Sequence, residues 1–272
     1  MNKTGKVQTK SPVTQKPLRY AGQSLDEQIN DLIDHKLLQV LVGLGVLFSI
    51  TISDWVHYFQ QKVPNPFIPT ILLVLAIVAS FYILAKHKEK LRNFKQGRDG
   101  EKEVGFILED LRELGVKAYH DIIGDGFNLD HVLVCEKGIF VIETKTYSKP
   151  MEGKANVAVK GEKLIFNGED RGDKPIIQAK AGANWLKNLL KEETGIEFQV
   201  NPVVLLVGWF VDTPVKYQKD IWVFHPKGFD SYFRKFIEIT HPLYSKEDVA
   251  MINSRIKNYI RAKNIKIGRA HV

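Results

Sequence analysis

A chain of 272 residues is long enough for two ordinary domains, but its apolar residues cluster in the first third, which favours a membrane-like segment followed by one globular domain. The formal net charge of +8 suits a phosphate-bearing partner and an anionic lipid surface equally well. The single cysteine, Cys135, excludes an intrachain disulfide and a cysteine-built zinc site, and fits a buried strand residue of a protein in a reducing compartment.

Residues 1–36 read as a disordered basic tail, polar and Lys-rich with no apolar period. Residues 37–53 and 67–85 are then two uncharged apolar runs, where a spanning helix needs about 20 residues and about 17 at the short end. They predict a transmembrane helical hairpin over residues 37–85, with Trp55, Tyr58, Pro64 and Pro66 anchoring its turn. The turn holds only Lys62, whereas the stretch through Lys36 carries six Lys or Arg, and Lys86, Lys88, Lys90, Arg92, Lys95 and Arg98 follow the second run. This asymmetry predicts an inner-membrane protein with both termini cytoplasmic. The polar stretch of 36 residues before the first apolar run argues against a cleaved signal peptide.

Residues 86–96 read as a basic linker, and an autonomous domain is expected from Gly97, so that deleting residues 1–95 should leave a folded protein. From Arg98 the spacing of Val104, Leu108 and Leu111 predicts a helix stopped by Gly115. Glu101 falls on its apolar stripe, either complementing the helix dipole or serving chemistry. A short strand around residues 117–120 precedes two stronger ones, 131–136 and 139–145, joined by a turn at Lys137-Gly138. Pairing Glu136 with Ile139 sets Val134 opposite Val141, Val132 opposite Glu143 and Asp130 opposite Lys145. Asp130, Glu143 and Lys145 then share one face at the open end of the hairpin. Two carboxylates brought together repel each other, which favours a divalent cation between them; an exposed ion pair on an edge strand is the plainer reading. Alternation turns His131 to the opposite face, in a structural role.

A small polar hairpin is expected over residues 151–168, with turns at Lys160-Gly161 and Asn167-Gly168. Pro175 opens a helix capped by Asp173, on which Gln178 shares a buried face with Ala181, Trp185 and Leu189. Strands follow at 203–210 and 221–225. Ser245 and Asp248 cap a last helix with Val249, Ile252, Ile256 and Ile260 inward and Arg255, Lys257, Arg261 and Lys263 outward. The domain is bounded at 97–215, with 216–266 as a C-terminal strand and helix extension. Residues 267–272, IGRAHV, resemble the translation of a sequencing-library adapter.

The segments GRDGEKEV, NLDHVLVCEKGIFVIETK and KPIIQ, in this order, resemble the nuclease-related domain (NERD) family, itself similar to the restriction-endonuclease-like PD-(D/E)xK superfamily. The resemblance implies an α/β fold with a central mixed sheet flanked by helices, here preceded by two transmembrane helices. It implies Mg²⁺ or Mn²⁺ bound by Asp130, Glu143 and the Thr144 carbonyl. It gives Lys145 a water-activating or charge-stabilising role, and matches Glu101 to the acid of the family's first helix and Gln178 to the glutamine of a P-x-x-Q pattern. The sequence lacks the proline usual before the first acid, since Leu129 stands there. The expected activity is hydrolysis of nucleic-acid phosphodiesters, DNA ahead of RNA, at the cytoplasmic side of a lipid membrane. Two alternatives stand beside it: a non-catalytic module binding nucleic acid or protein, and a membrane scaffold whose hairpin oligomerises through Gly43 and Gly45.

Overall fold

The computed structural model describes residues 18–62, 65–215, 218 and 220–270, the last six by backbone alone. Much of the basic tail, and Pro64 of the hairpin turn, lie outside the described residues.

Helix α1 (Gln23–Leu32) runs through a π-helical turn (Ile33–Leu38) into α2 (Gln39–Phe59), and α3 (Phe67–Asp110) returns beside them. By length and composition, Gln23–Phe59 and Phe67–Leu114 are both able to cross a membrane. Their apolar side chains face outward, with Leu41, Val46, Phe48, Leu75 and Val78 each more than half exposed. The two are pinned by few polar contacts, among them Trp55 Nε1 donating to Thr70 Oγ1 at 3.0 Å.

Two expectations about this region need correction. Residues 18–36 are ordered, because Arg19 and α1 find partners in the domain that their local composition does not reveal. The basic stretch 86–96 is not a linker either. Its residues are ordinary helix formers with no Gly or Pro before Gly97, so α3 continues unbroken from the apolar run into the domain. There Val104 and Leu108 are fully buried, and Gly115 ends the following 3₁₀ turn (Leu111–Leu114) in the left-handed region.

Period-two alternation produces an antiparallel meander of β1 (Lys117–Ile123), β2 (Asn128–Cys135) and β3 (Gly138–Lys145). A side layer follows, β4 (Asn156–Lys160), β5 (Lys163–Phe166) and β6 (Glu169–Asp170), then α4 (Lys174–Thr194) and β7 (Val200–Leu206). The chain ends with β8 (Phe210–Val211), β9 (Trp222–Phe224), α5 (Pro226–Ile239) and α6 (Lys246–Ala270). The main sheet has the order β1-β2-β3-β7-β9, with β7 and β9 parallel to β3, so it is mixed. The smaller sheet is ordered β6-β5-β4-β8.

Strand β3 is buried on both faces, which explains its unbroken apolar run Ile139–Ile142. On one face Phe140 and Ile142 pack with Val104 and Leu108 of α3 and Phe229 and Phe233 of α5. On the other, Ile139 and Val141 pack with Leu186 and Leu190 of α4 and Ile252, Ile256 and Ile260 of α6. The C-terminal elements are part of the domain core: β9 extends the main sheet, and α5 and α6 each cover one of its faces. Ser245 and Asp248 cap α6 reciprocally, with Asp248 N donating to Ser245 Oγ at 3.0 Å and Ser245 N to Asp248 Oδ2 at 3.1 Å.

The β2–β3 register differs from the expected one by two residues. Cys135 pairs with Gly138 and Val132 with Val141, so the turn is Glu136-Lys137. The Glu136 carbonyl accepts instead from the backbone of Leu243 and Tyr244, which removes it from the ladder. A shift of two leaves every side chain on its expected face; a shift of one would have reversed them all.

Candidate active site

Strands β2 and β3 are paired as far as His131 and Ile142 and then part. In the gap Asp130 Oδ2 accepts a hydrogen bond from the Thr144 N–H at 2.7 Å, and Lys145 Nζ donates to Glu143 Oε1 at 2.6 Å. Glu143 is buried and Asp130 half-buried. Both line a cavity of about 650 Å³ together with Lys145, Glu101 from α3 and Gln178 from α4. The structure therefore brings the five candidate side chains to one place, with the Thr144 backbone bonded to Asp130 beside them. Gln178 is not on the buried face of its helix. That face is Ile176, Ala179, Gly182, Ala183, Leu186 and Leu190, and Gln178 lies one step round it, on the exposed rim. Gly182 is where α4 meets the sheet, since a Cβ there would stand 2.7 Å from Leu129 Cδ2.

The electrostatics are those of crowded acids. Burial, then the charges of Asp121 and Glu143, push the Glu101 carboxyl up to about 8, against the pull of Lys145 and of the Gly22 backbone N–H. Burial, Glu143 and Glu101 likewise hold Asp130 well above the usual carboxylate range, against the Thr144 N–H and Lys145. Burial alone would lower Lys145, but the charge and hydrogen bond of Glu143, with Asp130, more than offset it and keep the ammonium protonated.

A hard cation fits this donor set. Among the described residues no three His, Cys, Asp or Glu side chains cluster into a self-sufficient metal site. Mg²⁺ asks for less, one or two carboxylates with the rest from water, carbonyls or substrate phosphate. Asp130 and Glu143 supply the carboxylates. The Thr144 carbonyl points to the same side of β3 as its N–H, toward Asp130, by the geometry of an extended strand.

The raised acid has a pH signature. With Glu101 titrating near 8 in the fold and at its ordinary 4.5 unfolded, the native state binds more protons between those values, so stability falls as pH rises through that window. In EDTA, the full chain in detergent should therefore lose stability relative to Glu101→Gln from pH 5 to pH 8, read as denaturation midpoints. A gain of wild type over the variant across that range would contradict the assignment.

The sequence reading missed Asp121. This β1 residue is almost fully buried and sits at φ +50°, a conformation uncommon outside glycine. Its Oδ2 accepts from Arg19 Nε at 2.7 Å, Ser24 N at 2.8 Å and Ser24 Oγ at 2.9 Å, and its Oδ1 from Asn128 Nδ2 at 3.3 Å. Gly22 stands at the start of α1 without a side chain to cap it, and Asp121 caps the helix from across the cavity. Helix α1 thereby becomes a wall of the site, contributing Ser24, Leu25 and Gln28. An acid within an apolar strand was the one sequence signal for this. His131 lies on the far face, fully buried, with Nδ1 2.8 Å from His120 Nδ1, whose Nε2 meets Glu109 at 2.9 Å.

Residues 96–207 match the family model described as the nuclease-related domain. A protein of Bacillus anthracis, itself described as uncharacterized, is 28% identical over 93 residues, 32% of this chain and 42% of that protein. The aligned part thus spans less than half the length of that relative. No solved structure matches.

Proposed function

Because residues 96–207 match the nuclease-related domain family, we propose that the chain is a membrane-anchored nuclease, dependent on a divalent metal, that hydrolyses nucleic-acid phosphodiesters on the cytoplasmic side. One observation carries the reading: Asp130, Glu143 and Lys145 converge where two strands part, with Glu101 facing them across one cavity. Asp130, Glu143 and the Thr144 carbonyl would hold Mg²⁺ or Mn²⁺, which supplies Lewis-acid polarisation of a phosphate oxygen and a lowered pKa of water. Lys145, kept charged by its acidic neighbours, stabilises negative charge as it develops on the phosphate. Glu101, its carboxyl raised to about 8, takes the proton of the attacking water when itself deprotonated. Gln178, on the rim, orients that water or the carboxylates beside it. DNA is placed ahead of RNA as the substrate.

The hairpin supports the membrane half of the proposal, since its outward apolar faces have no cover among the described residues. The flanking Lys and Arg residues support a cytoplasmic side for the domain. The test uses the full chain in lipid vesicles, with labelled DNA and RNA strands and with Mg²⁺, Mn²⁺ or EDTA. Expected are fragments with either metal, none with EDTA, and flotation of the protein with the lipid. Absence of cleavage with both metals would leave the non-catalytic binding module as the better reading, and failure to float would remove the anchor.

A further inference from the structure

The cavity has two chemically different halves. One holds Glu101, Asp130, Glu143 and Lys145. The other is apolar and aromatic, lined by Leu25, Ile123, Leu129, Phe127 and Trp185. Nothing in the hydrolysis of a phosphodiester requires that second half. We propose that it receives an unpaired nucleobase, so that the site acts on single-stranded nucleic acid with one base lodged at the pair of Phe127 and Trp185, stacked on one ring and edged by the other. This rests on the nuclease reading for the phosphate and adds the class of substrate.

The two rings are built as a platform. Phe127 and Trp185 meet edge to face, with centroids 5.3 Å apart and planes at 85°. Phe127 is 38% exposed, so part of its ring is open to a ligand. It is nevertheless fixed: the loop closes through Gly124 N donating to the Phe127 carbonyl at 2.8 Å, and a Cβ on Gly124 would stand 2.5 Å from the ring. Behind Trp185 lies Tyr259, at 5.4 Å, whose hydroxyl is tied to the Ile123 carbonyl at 3.0 Å. Ring faces held in this way bind any base, because every base has a π-face, and each stack is worth roughly tenfold or more in affinity.

The walls exclude the alternative. Glu143 lies at the floor with 9% exposure, between α1 on one side and α4 on the other. A duplex is a stiff rod whose grooves alone are about 12 and 6 Å wide. To reach Glu143 at the floor between α1 and α4, a duplex would have to bring its phosphates inward with both strands still paired, which its stiffness opposes. An unpaired nucleotide can turn its backbone inward and drop its base into the apolar half, without the unstacking cost that a duplex would bear.

The test uses the full chain in detergent with short DNA and RNA strands carrying 2-aminopurine, whose fluorescence is quenched by stacking, and the matching blunt duplex. Ca²⁺ serves as an oxygen-binding cation for the affinity measurement, and turnover in Mg²⁺ or Mn²⁺ is scored separately. Expected is quenching of the single strand, with at least tenfold tighter binding than the duplex. Phe127→Ala and Trp185→Leu should each cost roughly tenfold and weaken the quench, and Trp185→Phe should restore it. Binding of either the DNA or the RNA strand in this pattern supports the inference, and the comparison shows whether a 2′-hydroxyl is tolerated. Equal binding of duplex and single strand, or single-strand binding indifferent to both ring variants, overturns it. Cleavage of duplex as fast as single strand, unchanged in Phe127→Ala, sinks the inference and leaves the nuclease reading standing. Stacking without turnover does the reverse.

Discussion

Glu143→Gln should slow nucleic-acid cleavage by about a hundredfold or more while the domain stays folded. The amide keeps the volume and the position at the end of β3 but removes the charge that would hold a cation and that now holds Lys145 at 2.6 Å. It also takes one member out of the crowd that raises Glu101 and Asp130, so both acids should titrate lower and the metal-free fold should tolerate the change. Lys145→Ala separates the roles, since turnover should fall comparably while divalent-metal binding by calorimetry persists. His131→Ala, on the opposite face, should leave metal binding unchanged. Circular dichroism must show a folded protein in each case. Wild-type turnover in Glu143→Gln would place the chemistry elsewhere.

Asp121→Ala should cost about 3–5 kcal/mol of stability, the loss expected when one partner of a buried ion pair is removed. Asp121 and Arg19 are both almost wholly buried, and the variant would also strip the hydrogen-bond acceptor from Ser24 N and Oγ. Arg19 would keep Glu27, at 2.9 Å, which bounds the loss from above. Equilibrium denaturation of the full chain in detergent reads the effect. The control is Lys163→Ala, whose pair with Asp170 is exposed and whose loss should not move the midpoint. A loss at Asp121 no larger than the control's would mean that α1 is not fastened to the domain there. For the same reason a chain cut after residue 95 lacks a wall of its own cavity, contrary to what composition alone suggests.

The strands carrying Asp130 and Glu143 were legible because their signal is local. Alternation fixes the face of each residue, and the shared face survived a register error of two. The turn itself was misplaced because the Glu136 carbonyl is claimed by Leu243 and Tyr244, more than a hundred residues away in sequence, and no local preference encodes that. Gln178 does share a face with Ala181 and Trp185, which line the same cavity, but that face is open to the cavity where an apolar-stripe reading expects it buried. A polar residue one step off an apolar stripe reads as inside or outside depending on where the neighbouring sheet lies. Arg19, Ser24 and Asp121 were invisible for a stronger reason, since a polar N-terminal segment looks disordered until its buried partner is known. The role of α6 in the core was half visible. Its isoleucine stripe demanded a cover, but only the closed fold shows that the stripe lies against β1 and β2.

Helix α3 has one more consequence. With residues 67–85 in the bilayer as proposed, sixteen steps of unbroken helix separate Ala85 from Glu101, about 24 Å at 1.5 Å per residue. A flexible tether would let the domain sweep a hemisphere and meet nucleic acid at any angle. A rigid stem would instead set Glu101 at a fixed height, so that the proposed site would reach only a thin layer above the lipid. Under the proposed function, strands deeper in the cytoplasm would be spared by distance alone, and whatever brings nucleic acid to the membrane would decide what is cut.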